Sequence, residues 1–399
     1  MEKMEIQNSR EEIVTASEFN GYKTKKFTFF FLCSFALSIF SLGLFSYWNN
    51  FWGYFGDYGK FTTYNDRLSK VEYLIENDKF RPEAFILGSS NMFPFQVDEF
   101  EKSFGYKTFN LANYWGRMEE LWSWLNFLHY DLNLRPKLIL VGVEPWTFSN
   151  DVSGPYPLVD YRRRYVATPQ LVKYAPDFSE TSLFLSKYID LFSFNNVTLG
   201  FSQLAGGNFF SLERQQRKSM IESGILLSDG TNISYNNLEV KEFFPIDVNK
   251  TYNAIIKGNK TEDIENTREE ILSRRLISRN EISIRLPGGQ LDLKDFELME
   301  RLVKFCNENN TDIIFLLPPV HPHFRDFLNQ EVEYQSHVDY IVEFLEGLQS
   351  RNSNILHIFD ATDLSSFKGD AEYFHDITHM SPQNTNLIIN EIRQRMSEN

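Results

Sequence analysis

Two short stretches carry residue types that could do chemistry together. The first is Gly88-Ser89-Ser90-Asn91, which follows the apolar run Ala84-Phe85-Ile86-Leu87. The second is His375-Asp376-Ile377-Thr378-His379-Met380, close to the carboxyl terminus. A serine hydroxyl is a weak nucleophile at neutral pH and needs a base within hydrogen-bond reach, itself oriented by a third group. Ser90 could attack an acyl carbonyl while His379 takes its proton and Asp376 fixes the histidine tautomer. Backbone N–H groups at the Gly88–Asn91 turn could then stabilise the developing oxyanion. Taken alone, Gly-Ser-Ser is a common turn, and Asp376 could simply cap a helix. Their joint placement, one after a first strand and one before a last helix, is what points to acyl-transfer chemistry.

The elements that must position them are legible in outline. Ala84 to Leu87 reads as a buried strand, and a serine in the turn after it stands at the carboxyl edge of a sheet, where open α/β folds place ligands. Leu68, Val71, Leu74 and Ile75 give helical spacing to 63–79. A short helix is expected over 98–104 and a second strand over 106–111. A helix follows over 117–132, and then the strand KLILVGV (137–143), whose continuous apolar character suits a parallel strand covered on both faces. Strand-helix alternation lapses from about 150 to 290, apart from a helical stretch over 263–278, so this region reads as an insertion over the carboxyl edge of the sheet. Alternation resumes with a helix over 293–307 and a strand over 312–317. A helix over 331–349, a strand over 355–359 and a terminal helix over 381–396 complete the chain. About five parallel strands with intervening helices imply a three-layer α/β/α, flavodoxin-like domain.

Residues 27–48 (FTFFFLCSFALSIFSLGLFSYW) carry no charge, enough for a helix across a bilayer core of about 30 Å. Lys23, Lys25 and Lys26 precede this run and Asp57 is the first charge after it. The positive-inside rule therefore predicts a cytoplasmic tail over 1–26, a retained transmembrane helix over 27–48 and an extracytoplasmic domain over 49–399. Residues 1–22 lack periodicity and read as disordered. The formal net charge of −14 excludes nucleic acid as an expected partner, because no broad basic field is present. Cys33 and Cys306 are the two cysteines, one inside the apolar run, so an exported domain is expected to fold without disulfides.

The Gly88-Ser89-Ser90 and Asp376-x-x-His379 blocks together resemble those of the SGNH (GDSL-type) hydrolase superfamily, over roughly 82–150 and 290–396. Ser89 stands where the family's aspartate would be. Within the superfamily the chain resembles membrane-anchored proteins of cell-envelope acylation, namely the partner protein of lipoteichoic acid D-alanylation and proteins of exopolysaccharide O-acetylation. The amino-terminal anchor, the Gly-Ser-Ser turn and the strand ending in Glu144-Pro145-Trp146 carry that likeness. It implies a serine acyltransferase or esterase acting on an envelope polysaccharide or polymer, with Ser90, His379 and Asp376 as its catalytic set and no cofactor or metal. It also implies a multi-spanning membrane O-acyltransferase as partner. Oxyanion-hole candidates are Ser90, Asn91, Ala112 and Asn113, with Gly116 as fallback. Two departures from the pattern stand out. Ala112 occupies the position of the second block's glycine, and Glu144-Pro145 lacks the third block's asparagine, a donor whose loss can cost about 3 kcal/mol. Those departures support an alternative, a non-catalytic scaffold for a membrane acyltransferase. Trp146 and Arg163, the latter within Arg162-Arg163-Arg164, are candidate substrate contacts. His321-Pro322-His323 has no third ligand at a persuasive spacing and reads as a cleft loop rather than a metal site.

Overall fold

The computed structural model describes residues 2–49, 65–114, 116–148, 165–176, 179–192, 293–332, 334–352, 354–374 and 378–398, with side chains of the first helix described from residue 24. Asp376, Arg163 and the helix expected over 263–278 lie outside the described residues, as does the Trp146 side chain. The chain divides into two compact units, residues 1–63 with 180–217, and residues 64–179 with 218–399.

The first unit contains helix α1 (Glu2–Asn49), whose segment Thr24–Trp48 is long and apolar enough to cross a membrane. The helix begins at Glu2, so the tail expected to be disordered is helical. Its Glu, Met, Gln, Arg and Ala residues are good helix formers, and extending a helix already nucleated by the apolar segment costs little.

The second unit holds an α/β fold around five parallel strands in the order β2-β1-β3-β4-β5. The strands are β1 (Ala84–Leu87), β2 (Thr108–Asn110), β3 (Leu138–Gly142), β4 (Asp312–Leu317) and β5 (Leu356–Asp360). Register aligns Ile86 with Leu140 and Asn110, and Leu140 with Ile314, so alternate residues across the strands share a face. On one face Ile86, Leu140, Ile314, Leu316 and Phe359 form a core with Phe100 of α3 (Val97–Phe104) and Ile388, Ile389 and Ile392 of the terminal helix. On the other, Tyr73 of α2 (Asp66–Glu76) stacks on Phe109. Both faces are therefore covered, which is why the strands read as unbroken apolar runs.

Helix α4 (Met118–Asn126) continues as a π-helical turn, Phe127–Asp131, where the sequence predicts one regular helix over 117–132. The short α5 (Pro169–Val172) packs on α4, and α6 (Glu180–Leu191) belongs to the first unit. After α7 (Leu293–Glu308) come α8 (Pro322–Val332), a helix the sequence does not signal, and α9 (Tyr334–Gln349), the helix expected over 331–349. The first of these starts at Pro322, a residue suited to the first helical turn because its missing N–H needs no partner there. The terminal helix is α10 (Pro382–Glu398).

Candidate active site

The turn after β1 is built by Gly88, whose φ of +139° lies where glycine is favoured. A Cβ at Gly88 would approach Met92 to 2.7 Å and the Gly142 carbonyl oxygen to 3.0 Å. The chain then enters a short 3-10 turn, Ser90–Met92, capped by Ser89. The Ser89 hydroxyl accepts a hydrogen bond from the Asn91 N–H at 3.2 Å and donates to Glu144 Oε1 at 2.8 Å. Glu144 is buried just beyond β3, and its own N–H is held by Thr147 Oγ1 at 3.1 Å. The Ser89–Glu144 bond thus joins the carboxyl ends of β1 and β3, the point where strand order reverses and such sheets open a crevice. With Ser89 turned inward, Ser90 is half-buried and reaches outward.

His379 meets it there. Its Nε2 lies 2.9 Å from Ser90 Oγ, and its Nδ1 lies 3.1 Å from Thr378 Oγ1. When Nε2 accepts the serine proton, Nδ1 carries a hydrogen and donates to the threonine hydroxyl. The loop bearing His379 is closed at its neck by a bridge between Phe374 and Met380 and by Ser381 N–H donating to Tyr373 O at 3.0 Å. Asn384 in the first turn of α10 is fully buried; its amide donates to Asp370 O and Tyr373 O and accepts from Asp370 N–H. The same turn reaches the chain just after the Ser90 turn. Thr385 Oγ1 donates to Pro94 O at 3.1 Å, and Asn386 Nδ2 donates to Gln96 Oε1 at 3.2 Å. These bonds fix the distance between serine and histidine.

The remaining candidate donors are differently engaged. Ala112 N–H donates to Asn110 Oδ1 at 2.9 Å, and Asn113 N–H donates to Gly88 O at 3.0 Å. The Asn113 side-chain amide donates to Leu111 O at 2.7 Å, Asn91 N–H is taken by Ser89, and Gly116 N–H by Asn113 O. Among the described residues, the Ser90 N–H and the Asn91 side-chain amide are among the donors at the turn that make no hydrogen bond within the chain. Gly116 packs directly on the turn instead, where a Cβ would fall 2.2 Å from Gly88 O.

A buried charge cluster supports this loop. Asp66, Arg67 and Lys70 of α2 and Glu120 of α4 are all fully buried. Arg67 pairs with Glu120 at 2.6 Å and with Asp66 at 3.1 Å, and donates to Tyr114 O at 2.5 Å. Asp66 Oδ2 accepts from Tyr114 N–H at 3.0 Å, and Lys70 Nζ donates to Ala112 O. Burial pushes the Glu120 carboxyl upward although Arg67 pulls it down. Sequence reasoning missed this cluster, because Asp66, Arg67 and Lys70 look like the solvated side of an amphipathic helix. It also missed Thr378 and the Ser89–Glu144 bond, which no spacing signals.

His321 stands beyond β4, with Nδ1 accepting from His323 N–H at 3.3 Å and its ring edge-on to Phe374. Burial lowers its pKa to about 4, with His323 adding to the effect and a hydrogen bond to the Ala371 backbone opposing it. A neutral ring so tied braces the 371–374 segment that leads to His379. Among the described residues, no group of three or more His, Cys, Asp and Glu side chains could hold a metal ion.

No protein-family model and no curated protein matches the sequence. Among solved structures, the chain is similar to a “putative acylhydrolase” from Bacteroides fragilis, over 83% of this chain and 97% of that one, at 9% identity and a TM-score of 0.33. A likeness this distant carries no argument about activity, so the case rests on the geometry of Ser90 and His379.

Proposed function

We propose that the chain is a membrane-anchored serine acyltransferase or esterase of SGNH-like type, acting on an ester-linked acyl group of a cell-envelope polysaccharide or polymer. The observation that carries this reading is the 2.9 Å contact between Ser90 Oγ and His379 Nε2. Ser90 Oγ attacks the acyl carbonyl while its proton passes to His379 Nε2, which later returns it to the leaving alcohol oxygen. The acyl group, now an ester on Ser90, passes to an acceptor hydroxyl or to water as His379 serves again as base. Asp376 orients the imidazolium, alongside the Thr378 hydroxyl. The Ser90 N–H and the Asn91 amide serve the oxyanion. Residues 1–26 lie in the cytoplasm, the apolar segment spans the membrane and the remainder is extracytoplasmic; a multi-spanning O-acyltransferase is the proposed partner. Trp146 and Arg163 are proposed to contact the polymer.

The committed N–H groups of Ala112 and Asn113 favour a second reading, a scaffold that keeps the fold and recruits the acyltransferase. Fluorophosphonate labelling of the full-length protein in membranes separates the two. The catalytic reading expects labelling of wild type that is lost in Ser90→Ala and in His379→Ala, each checked for folding by its denaturation midpoint. A folded wild type that takes no label, with or without its membrane partner, leaves the scaffold.

A further inference from the structure

Helix α6 and the residue that follows it carry exposed apolar side chains within the first unit. Leu185 and Ile189 of α6 and Phe192 just past its end are exposed, the last two at 69% and 51%. Their spacing of four and seven residues from Leu185 places them on one helical face. A stripe of this kind is not left facing water in a stable soluble surface.

The position of Phe192 says what covers it. Its ring packs onto α1 at Gly43, where an added Cβ would fall 2.4 Å from Phe192 Cε1. Ser46, one turn further along α1, is buried as well. Gly43 lies inside the apolar segment Thr24–Trp48, some 7 Å from its Trp48 end at about 1.5 Å rise per residue. A contact at that depth belongs to the hydrocarbon region.

We propose that α6 is a second membrane-embedded element, lying in the leaflet at the carboxyl-terminal end of the anchor, with lipid as the partner of its Leu185–Phe192 face. At 12 residues it is too short to cross the bilayer, which takes about 20. Being helical, it brings no unpaired interior backbone groups into the lipid. The inference rests on the reading of residues 27–48 as a membrane span.

Spin-label accessibility in the full-length protein tests it. A Cys33→Ser background removes the exposed cysteine, while Cys306 is buried. Labels are placed through Ile189→Cys, through Phe35→Cys within the anchor and through Tyr340→Cys on α9, in phosphatidylcholine–phosphatidylglycerol vesicles. The expected result at 189 is collision with oxygen favoured over a water-soluble nickel chelate, as at 35 and opposite to 340. A label at 189 that behaves like 340 overturns the proposal, and so does one shielded from both reagents, which would mean a protein partner covers the stripe. Water exposure at 35 would instead bring down the anchor reading, and this inference with it.

Discussion

Ser90 and His379 stand 289 residues apart in the chain, yet a hydrogen bond joins them because each sits on a turn held by small polar residues rather than by size. Ser89 turns its hydroxyl inward to Glu144 and so turns Ser90 outward; Asn384 and Thr385 do the same service for the histidine loop. His321 contributes through its neutrality. Its folded pKa of about 4 lies below the usual 6.5, so between those values the unfolded chain binds more protons and stability falls as pH falls. The expected contribution is on the order of 2 kcal/mol, fully present above pH 6.5 and lost as pH approaches 4. Urea midpoints measured from pH 4 to 8 check this. His321→Gln should flatten the acid limb relative to wild type, and an unchanged slope would show that His321 is not buried neutral.

At the scale of the element, α2 is tied to the Ser90 turn through charge. Asp66, Arg67 and Lys70 grip Ala112 and Tyr114, and the loop between them bonds Gly88 and packs Gly116 against it. Arg67→Met would leave Asp66 and Glu120 buried without their cation, a change that typically costs about 3–5 kcal/mol. The expected outcome is a large drop in the urea midpoint. Arg67→Met combined with Glu120→Leu should recover part of it, since the second carboxylate is then removed too. A single variant as stable as wild type would mean that the cluster does not hold the loop.

At the scale of the whole molecule, the charge-free apolar segment and the lysines before it predict a tether with the α/β unit on one side of the membrane only. Carbonate washing should leave the full-length protein in the membrane pellet. Protease added to intact spheroplasts should digest the α/β unit and spare an epitope placed before Lys23. Digestion of that epitope with protection of the α/β unit would reverse the topology.

The apolar runs by themselves determined the strands of the parallel sheet. Leu138 to Gly142 and Asp312 to Leu317 are covered on both faces, so their burial is written as continuous hydrophobicity. The Ser90 turn and the His379 loop were legible as residue types that suit acyl-transfer chemistry, and the fold brings the two side chains into hydrogen-bond contact. What the sequence left open is whatever depends on where a polar group points. Whether Ala112 and Asn113 could give their N–H groups to a substrate was settled by Asn110 Oδ1 and Gly88 O, which take them. The buried charges of α2 read as a solvent face because helical spacing records which residues share a side, not what that side meets. Hydrogen-bond direction and burial of charge arise only when distant segments pack. They belong to the tertiary structure.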